Sequence, residues 1–283
     1  LGLNAEVERG KAIDTLRVKY LLENEPKVSI IIPTKNNKLL LERCIESLEN
    51  NTNYKNFEII IVDNNTDNDK TLEYYNSLDY EIIPYKDAFN FSKMNNLGVT
   101  KAQGDYILCL NDDTKVLDPN WLTEMVSICE QDDVGIVGAK LLHRNGTIQH
   151  AGAVFLKSGS GFHVFENIVE NEKGFFNLHN VIRNFSAVTG ACLLIKKSIF
   201  EKVGGYDDNF DLFYGDADLC LKTLDNNLHV IYTPFARLLH EGSATIKKTS
   251  ETFFAIENHF LFIKKWSYLK QGDPFYNSNL GWN

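Results

Sequence analysis

Gly104-Asp105-Tyr106-Ile107-Leu108-Cys109-Leu110-Asn111-Asp112-Asp113-Thr114 is an apolar run that ends abruptly in an amide and two carboxylates. Hydrophobic burial predicts a strand with the acids at its C-terminal tip. Adjacent carboxylates repel, so their place at the end of a buried element makes sense where a cation or cationic substrate offsets the charge. Taken alone, Asn-Asp-Asp reads more readily as a solvated acidic turn, since charged loop ends are common. The neighbouring segments decide between the two.

The segments upstream repeat the form of this run. Val28-Ser29-Ile30-Ile31-Ile32-Pro33 is a β-branched stretch of the kind buried on both faces, followed by the loop Thr34-Lys35-Asn36-Asn37. Leu39, Leu40, Cys44, Ile45 and Leu48 fall at helical spacing, and Phe57-Glu58-Ile59-Ile60-Ile61-Val62-Asp63 is the next strand. Residues 67–78 predict a helix, 80–85 a short strand, 91–102 a helix ended by Gly104, and 105–110 the fourth strand. This alternation predicts an α/β fold with a doubly wound, mostly parallel sheet, whose ligand crevice lies beyond the C-terminal strand ends. Pro33-Thr34, Asp63 and Asn111-Asp112-Asp113 all fall at such ends.

Downstream, residues 121–130 predict a helix and 134–142 a strand, after which the pattern loosens through 147–156 and the loop Ser158-Gly159-Ser160-Gly161. A strand at 191–195 follows, then a short helix to Val203 and a loop rich in acids (Asp207, Asp208, Asp211, Asp216, Asp218). A strand at 229–232, the polar loop His240-Glu241-Gly242-Ser243 and a long amphipathic helix over 249–268 complete the chain. At the other end, Val7, Ala12, Leu16 and Tyr20 fit an amphipathic helix over 4–22, so residues 1–27 read as a helical lead-in or linker.

With 283 residues, 43% of them hydrophobic, the chain can bury a full core. A net charge of -9 argues against nucleic-acid binding by phosphate neutralisation. It also means that an anionic substrate would need a metal ion. Cys44, Cys109, Cys129, Cys192 and Cys220 are scattered and contain no C-x-x-C pair, as expected of reduced core thiols. No signal-peptide h-region and no apolar run of about 18 residues is visible, so a cytoplasmic location, with contact at the inner face of the membrane as a variant, is the expectation. A start at Leu1 suggests a piece of a longer protein.

Taken in order, Ser29-Ile30-Ile31-Ile32-Pro33-Thr34, Ile61-Val62-Asp63-Asn64, Phe89-Asn90-Phe91-Ser92 with Asn95-Asn96, Leu110-Asn111-Asp112-Asp113, Val188-Thr189-Gly190-Ala191-Cys192, Gly204-Gly205-Tyr206-Asp207 and Gly215-Asp216-Ala217-Asp218 form a recognisable series. The chain resembles family 2 glycosyltransferases, inverting enzymes of the GT-A fold, and especially the rhamnosyltransferase-like domains of bacterial surface-polysaccharide assembly. The resemblance runs from about Val28 to the Asp273-Pro274-Phe275-Tyr276-Asn277 tail. It implies a nucleotide-sugar-binding half at 28–115, an acceptor-binding and catalytic half at 116–248 that includes a smaller acceptor-side subregion, and a C-terminal helix and tail at 249–283.

By that resemblance Pro33, Thr34, Asn36, Asp63, Asn90, Ser92, Asn95, Asn111 and Asp112 would bind a nucleoside-diphosphate sugar of UDP or dTDP type. Asp63 reads alternatively as the cap of the next helix, and Asn90 and Ser92 as caps of the helix near Phe91. Asn111 stands where the family's Asp-x-Asp motif has its first acid. Asp113, with His240, would hold Mn²⁺ or Mg²⁺ against the diphosphate. Asp216 would be the base that takes the acceptor's proton, with Asp208 or Asp211 as competitors, and Gly215 replaces an acid or amide common in relatives. Gly190, Ala191 and Asp218 would face an oligosaccharide or lipid-linked acceptor, with membrane-associated assembly machinery and further domains as possible partners. The competing reading is an inactive nucleotide-sugar or glycan-binding module. A nucleotidyltransferase would need a Gly-rich phosphate loop after the first strand, and a nicotinamide dehydrogenase a G-x-G-x-x-G; the chain has neither.

Overall fold

A computed structural model describes residues 4–12, 14–242, 251–277 and 279. In chain order the strands are β1 Ala5–Arg9, β2 Leu16–Tyr20, β3 Val28–Thr34, β4 Phe57–Asp63, β5 Glu81–Pro84, β6 Tyr106–Leu110, β7 Thr114–Val116, β8 Val134–Leu142, β9 Ile148–His150, β10 Ala153–Phe155, β11 Gly161–His163, β12 Arg183–Asn184, β13 Cys192–Lys196 and β14 His229–His240. The helices are α1 Lys38–Asn50, α2 Asp69–Tyr75, α3 Phe91–Val99, α4 Trp121–Cys129, α5 Lys197–Lys202, α6 Gly215–Asp225 and α7 Glu251–Lys265. The main sheet runs β12-β14-β8-β13-β6-β3-β4-β5, with β7 beside β14 and β9 beside β8.

The β5, β4, β3 and β6 neighbours pair in parallel, as do β8 and β14, while β13 is antiparallel to both β6 and β8. Two reversals across β13 restore the direction. The carboxyl ends of β3, β4, β6, β8 and β14 therefore share one edge, together with the amino end of β13. This is the edge where an open α/β sheet opens its crevice.

Alternation along the buried strands supplies both faces of the sheet with apolar side chains. Val28, Ile30 and Ile32 of β3, Ile59 and Ile61 of β4, and Leu108 and Leu110 of β6 pack in one layer with Leu41, Cys44, Leu48, Trp121 and Met125 of α1 and α4. Ile31, Ile60, Val62, Ile107 and Cys109 pack in the other with Met94, Phe200, Leu219 and Phe262 of α3, α5, α6 and α7. The fold is thus doubly wound, as the sequence predicts. All five cysteines are free and buried. Burial pushes the thiols of Cys44, Cys109 and Cys129 up to about 12, so they stay protonated.

Two expectations fail. Within 4–22, Ala5–Arg9 and Leu16–Tyr20 form an antiparallel hairpin of β1 and β2 with Val7 opposite Val18, not a helix. Glu6-Val7-Glu8 and Arg17-Val18-Lys19 alternate with the strand period, and Gly10 and Asp14, the latter in the left-handed region at φ 58°, occupy the turn. The hairpin is also no free linker. The Arg17 guanidinium lies 3.7 Å from the centre of the Phe235 ring and pairs with Glu124, and Lys11 Nζ donates to the Pro234 carbonyl at 3.0 Å. The second failure is β14, expected over 229–232 but continuing to His240 across an irregularity between Thr233 and Arg237. Pro234 lies in that irregularity, where its missing N–H removes no regular ladder bond.

The C-terminal helix is observed at Glu251–Lys265 followed by a 3₁₀ turn at Ser267–Gln271; Ser243, Thr249 and Ser250 of the expected loop and helix lie outside the described residues. Among the described residues no helix is long and apolar enough to cross a membrane.

Candidate active site

The acidic tip of β6 is held by its neighbours at the sheet edge. Asp112 Oδ2 accepts hydrogen bonds from Thr34 Oγ1 at 2.6 Å, at the end of β3, and from Asn37 Nδ2 at 3.2 Å. Burial pushes the Asp112 carboxyl up to about 6; the Thr34 bond opposes this, the Asp113 charge adds to it, and Asn37 opposes it. An unfolded aspartate releases its proton near pH 3.9. The cost of charging folded Asp112 is therefore absent below about pH 4, grows up to about pH 6 and is constant above, at no more than about 3 kcal/mol. In metal-free protein Asp112→Asn is expected to raise the unfolding free energy at pH 7 by up to that amount and to leave it unchanged at pH 4. Urea midpoints at the two pH values measure the difference.

Asp113 is buried, and its Oδ1 accepts no hydrogen bond although His240 Nε2 lies 3.0 Å away. The imidazole is backed by Gln149, whose Oε1 lies within hydrogen-bond reach of His240 Nδ1; an amide oxygen can only accept, so this contact calls for the ring proton on Nδ1. A neutral ring with its proton on Nδ1 presents a lone pair at Nε2, and Asn111 Nδ2 approaches that atom at 3.2 Å. Asp113 Oδ1 is thus left without a donor beside a ring nitrogen that the Asn111 amide also reaches; a cation between the two would relieve the carboxylate, and the donor set of one oxygen and one imidazole nitrogen suits Mn²⁺. Among the described residues no group of three His, Cys, Asp or Glu side chains forms a complete metal cage. An ion held here would take its other ligands from the diphosphate and water, as oxygen-loving divalent ions at phosphate sites do.

Asp216 occupies the first turn of α6, where Oδ2 accepts the Gly190 N–H at 2.7 Å and Oδ1 the Ala217 N–H at 2.8 Å. The residue before the helix, Tyr214, is left-handed at φ 66°. Its ring stacks on Phe262 with centroids 4.6 Å apart, and its hydroxyl meets His259 Nδ1 at 2.9 Å, so α7 clamps the turn. Asn111, His240, Gly190, Ala191 and Asp216 line one cavity of about 470 Å³, whose apolar wall includes Phe91, Phe155, Phe213 and Tyr214. Asp208 and Asp211 do not line it. Asp208 is exposed and accepts from Asn96 at 2.8 Å, and the Asp211 carbonyl caps α3 by accepting the Phe91 N–H at 2.6 Å.

The remaining candidates divide by what they bond. Pro33 and Thr34 end β3, and Asp63 ends β4, with Oδ1 taking the Tyr75 hydroxyl at 3.0 Å and Oδ2 the Thr66 N–H at 3.2 Å. Helix α2 is capped by Asn68 instead of Asp63. Asn36 spends its amide on the loop after β4, donating to Asp67 Oδ1 at 2.7 Å and accepting the N–H groups of Asp67 and Asn68. Asn90 caps α3 by accepting the Lys93 N–H at 2.8 Å and donates to the Asp208 carbonyl. Ser92 is fully buried and donates to the Phe210 carbonyl at 2.6 Å, while fully buried Asn95 donates to the Phe91 carbonyl at 2.8 Å. These four hold the walls of the crevice and, like Pro33, Thr34, Asp63, Asp112 and Asp113, do not line its cavity.

Asp218 is fully buried outside the cavity lining and so does not contact an acceptor there: Oδ1 accepts Trp266 Nε1 at 2.9 Å and Lys265 Nζ at 2.7 Å. It fastens α6 to α7. Because Lys265 keeps a second partner in Asp207, Asp218→Ala is expected to cost about 1–3 kcal/mol, chiefly the stranded Trp266 N–H. Gln149, Asn37 and His163, the last of which lines the cavity, are the contributors the sequence does not announce. Gln149 and His163 sit in the loosely patterned stretch, where three-residue strands are too short to show a period.

The family model for glycosyl transferase family 2 matches residues 29–204, which includes β3 through α5 and leaves Asp216 and His240 beyond it. An uncharacterised protein of Sinorhizobium fredii, y4gI, is 36% identical over 99% of this chain and 32% of its own length. The O-antigen biosynthesis protein RfbC of Myxococcus xanthus is 35% identical over 99% of this chain and 22% of its own. The chain thus spans a third or less of these relatives. Among solved structures, a Pyrobaculum calidifontis mannosyltransferase in complex with GDP-Man and Mn²⁺ superposes with a TM-score of 0.62 at 15% identity, covering 87% of this chain and 65% of that one. GalNAc-T7 with UDP, GalNAc and Mn²⁺ gives 0.63 at 16% identity, covering 90% and 59%. With a GT-A fold and a family model matched over more than half its length, the chain belongs to glycosyl transferase family 2.

Proposed function

We propose that this chain is a metal-dependent, inverting transferase domain that moves a hexosyl or deoxyhexosyl group from a UDP- or dTDP-type sugar to a hydroxyl of an oligosaccharide or lipid-linked glycan, in bacterial surface-polysaccharide synthesis. The observation that carries it is the convergence of Asp216, Asn111 and His240 on one cavity at the carboxyl edge of the sheet. The Mn²⁺ in both superposed structures and the O-antigen role in the name of the Myxococcus relative support the metal and the pathway.

In this reading the edge formed by Pro33, Thr34 and Asp63 takes the nucleoside, and Asp112, fixed by Thr34 and Asn37, takes the ribose or the sugar. Asp113 Oδ1 and His240 Nε2 would hold the ion. A divalent ion supplies charge stabilisation for the departing diphosphate. Asp216, held by the Gly190 and Ala217 N–H groups, accepts the proton of the acceptor hydroxyl as its oxygen bonds to the anomeric carbon; the bond from that carbon to the phosphate oxygen breaks, and the nucleoside diphosphate leaves with the electron pair. Gly190 and Ala191 line the acceptor side, and Asp218 acts only by mounting α6 on α7.

The test is a panel of nucleotide sugars with Mn²⁺, Mg²⁺ or chelator, read by release of nucleoside diphosphate and by the anomeric configuration of the product. Metal-dependent turnover with inversion supports the reading. Tight donor binding with no turnover across acceptors would instead identify a binding module.

A further inference from the structure

Strand β9 is three residues long, and two of them serve opposite ends of the site. Gln149 grips His240 twice: Oε1 accepts the Nδ1–H, and Nε2 donates to the His240 carbonyl at 3.3 Å. Space for this amide is left by Gly242, at φ 61°, where a Cβ would come within 2.7 Å of Gln149 Nε2. Pairing with β8 sets Ile148 against Leu142 and His150 against Leu141, and Gln149 is the extra residue at the register shift between them. Fully buried His150 then accepts the Thr189 N–H at Nε2, one residue before the Gly190 N–H that holds Asp216.

We propose that Gln149 is a positioning residue that fixes both the tautomer and the aim of His240, turning Nε2 toward Asp113, and thereby sets how tightly the site holds a divalent cation. The cation clause rests on the function proposed above. A free imidazole favours the proton on Nε2, which would point an N–H at the place where a cation needs a lone pair. The amide oxygen of Gln149 reverses that preference without adding a charge behind the ring.

Two readouts separate the two claims. The first is ¹⁵N NMR of the histidine-labelled, metal-free chain, with the His240 signal identified by its loss in His240→Gln. Wild type is expected to carry the proton on Nδ1. Gln149→Leu, similar in shape, is expected to move it largely to Nε2, and Gln149→Glu, which keeps an acceptor oxygen, to restore it to Nδ1. The second is titration of Mn²⁺ in the presence of UDP, followed by loss of the free-ion EPR signal. Gln149→Leu is expected to bind about 10- to 100-fold more weakly. An Nε2-protonated wild type, or a Leu variant with the wild-type tautomer or wild-type Mn²⁺ affinity, overturns the proposal. If wild type itself binds no Mn²⁺ with UDP, the metal reading falls, and the NMR experiment still decides what Gln149 does. Since the wild-type spectrum is informative alone, a Leu variant that fails to fold does not shield the idea.

Discussion

Asp216→Asn is expected to lower kcat for transfer by about 10²- to 10⁴-fold, the usual contribution of a positioned general base, while leaving nucleotide-sugar affinity close to wild type. The amide cannot take a proton from the acceptor hydroxyl. It also keeps only one of the two oxygens that accept backbone N–H groups from Gly190 and Ala217, so a stability loss of about 1–3 kcal/mol should accompany the change. Single-turnover transfer, donor affinity by calorimetry and a urea melt separate the three effects. An Asp216→Asn protein that transfers sugar at the wild-type rate would remove this residue from the chemistry.

Asp113→Ala should produce the opposite pairing of effects. Losing an oxygen ligand is expected to reduce kcat/KM by roughly 10²-fold or more and to make nucleoside-diphosphate binding insensitive to Mn²⁺. The metal-free fold should suffer little. Asp113 Oδ1 is a buried acceptor with no hydrogen bond, so its removal is expected to leave the unfolding free energy unchanged or to raise it by about 1–3 kcal/mol. A variant that is less active yet as stable as wild type, or more so, points to a site that carries a standing electrostatic cost for a ligand. Full retention of Mn²⁺ dependence would contradict the assignment.

The sheet and its functional edge were legible because β3, β4 and β6 are continuous apolar runs that stop at polar residues, a pattern that needs no tertiary knowledge. The N-terminal hairpin was misread because five-residue strands offer few alternations, and Val7, Ala12, Leu16 and Tyr20 happen to fit a helical spacing as well. Within the site, sequence pattern located the polar residues but not their duties. Ser92 bonds to Phe210 and Asp218 to Trp266, partners 118 and 48 residues away. Such partnerships decide whether a polar side chain faces a ligand or ties two segments together, and no local period encodes them. Asn90 was legible as a cap because a cap is a local arrangement. Gln149 was not, because its meaning depends on the ring of His240, 91 residues on.

The left-handed turn at Tyr214 has a mechanical meaning. A glycine would adopt φ 66° without steric cost, whereas tyrosine is kept there by Phe262 and His259 of α7. The turn just ahead of Asp216 is thereby tied to a helix far along the chain, so substitutions at Phe262 or His259 are expected to reach the start of α6 through Tyr214.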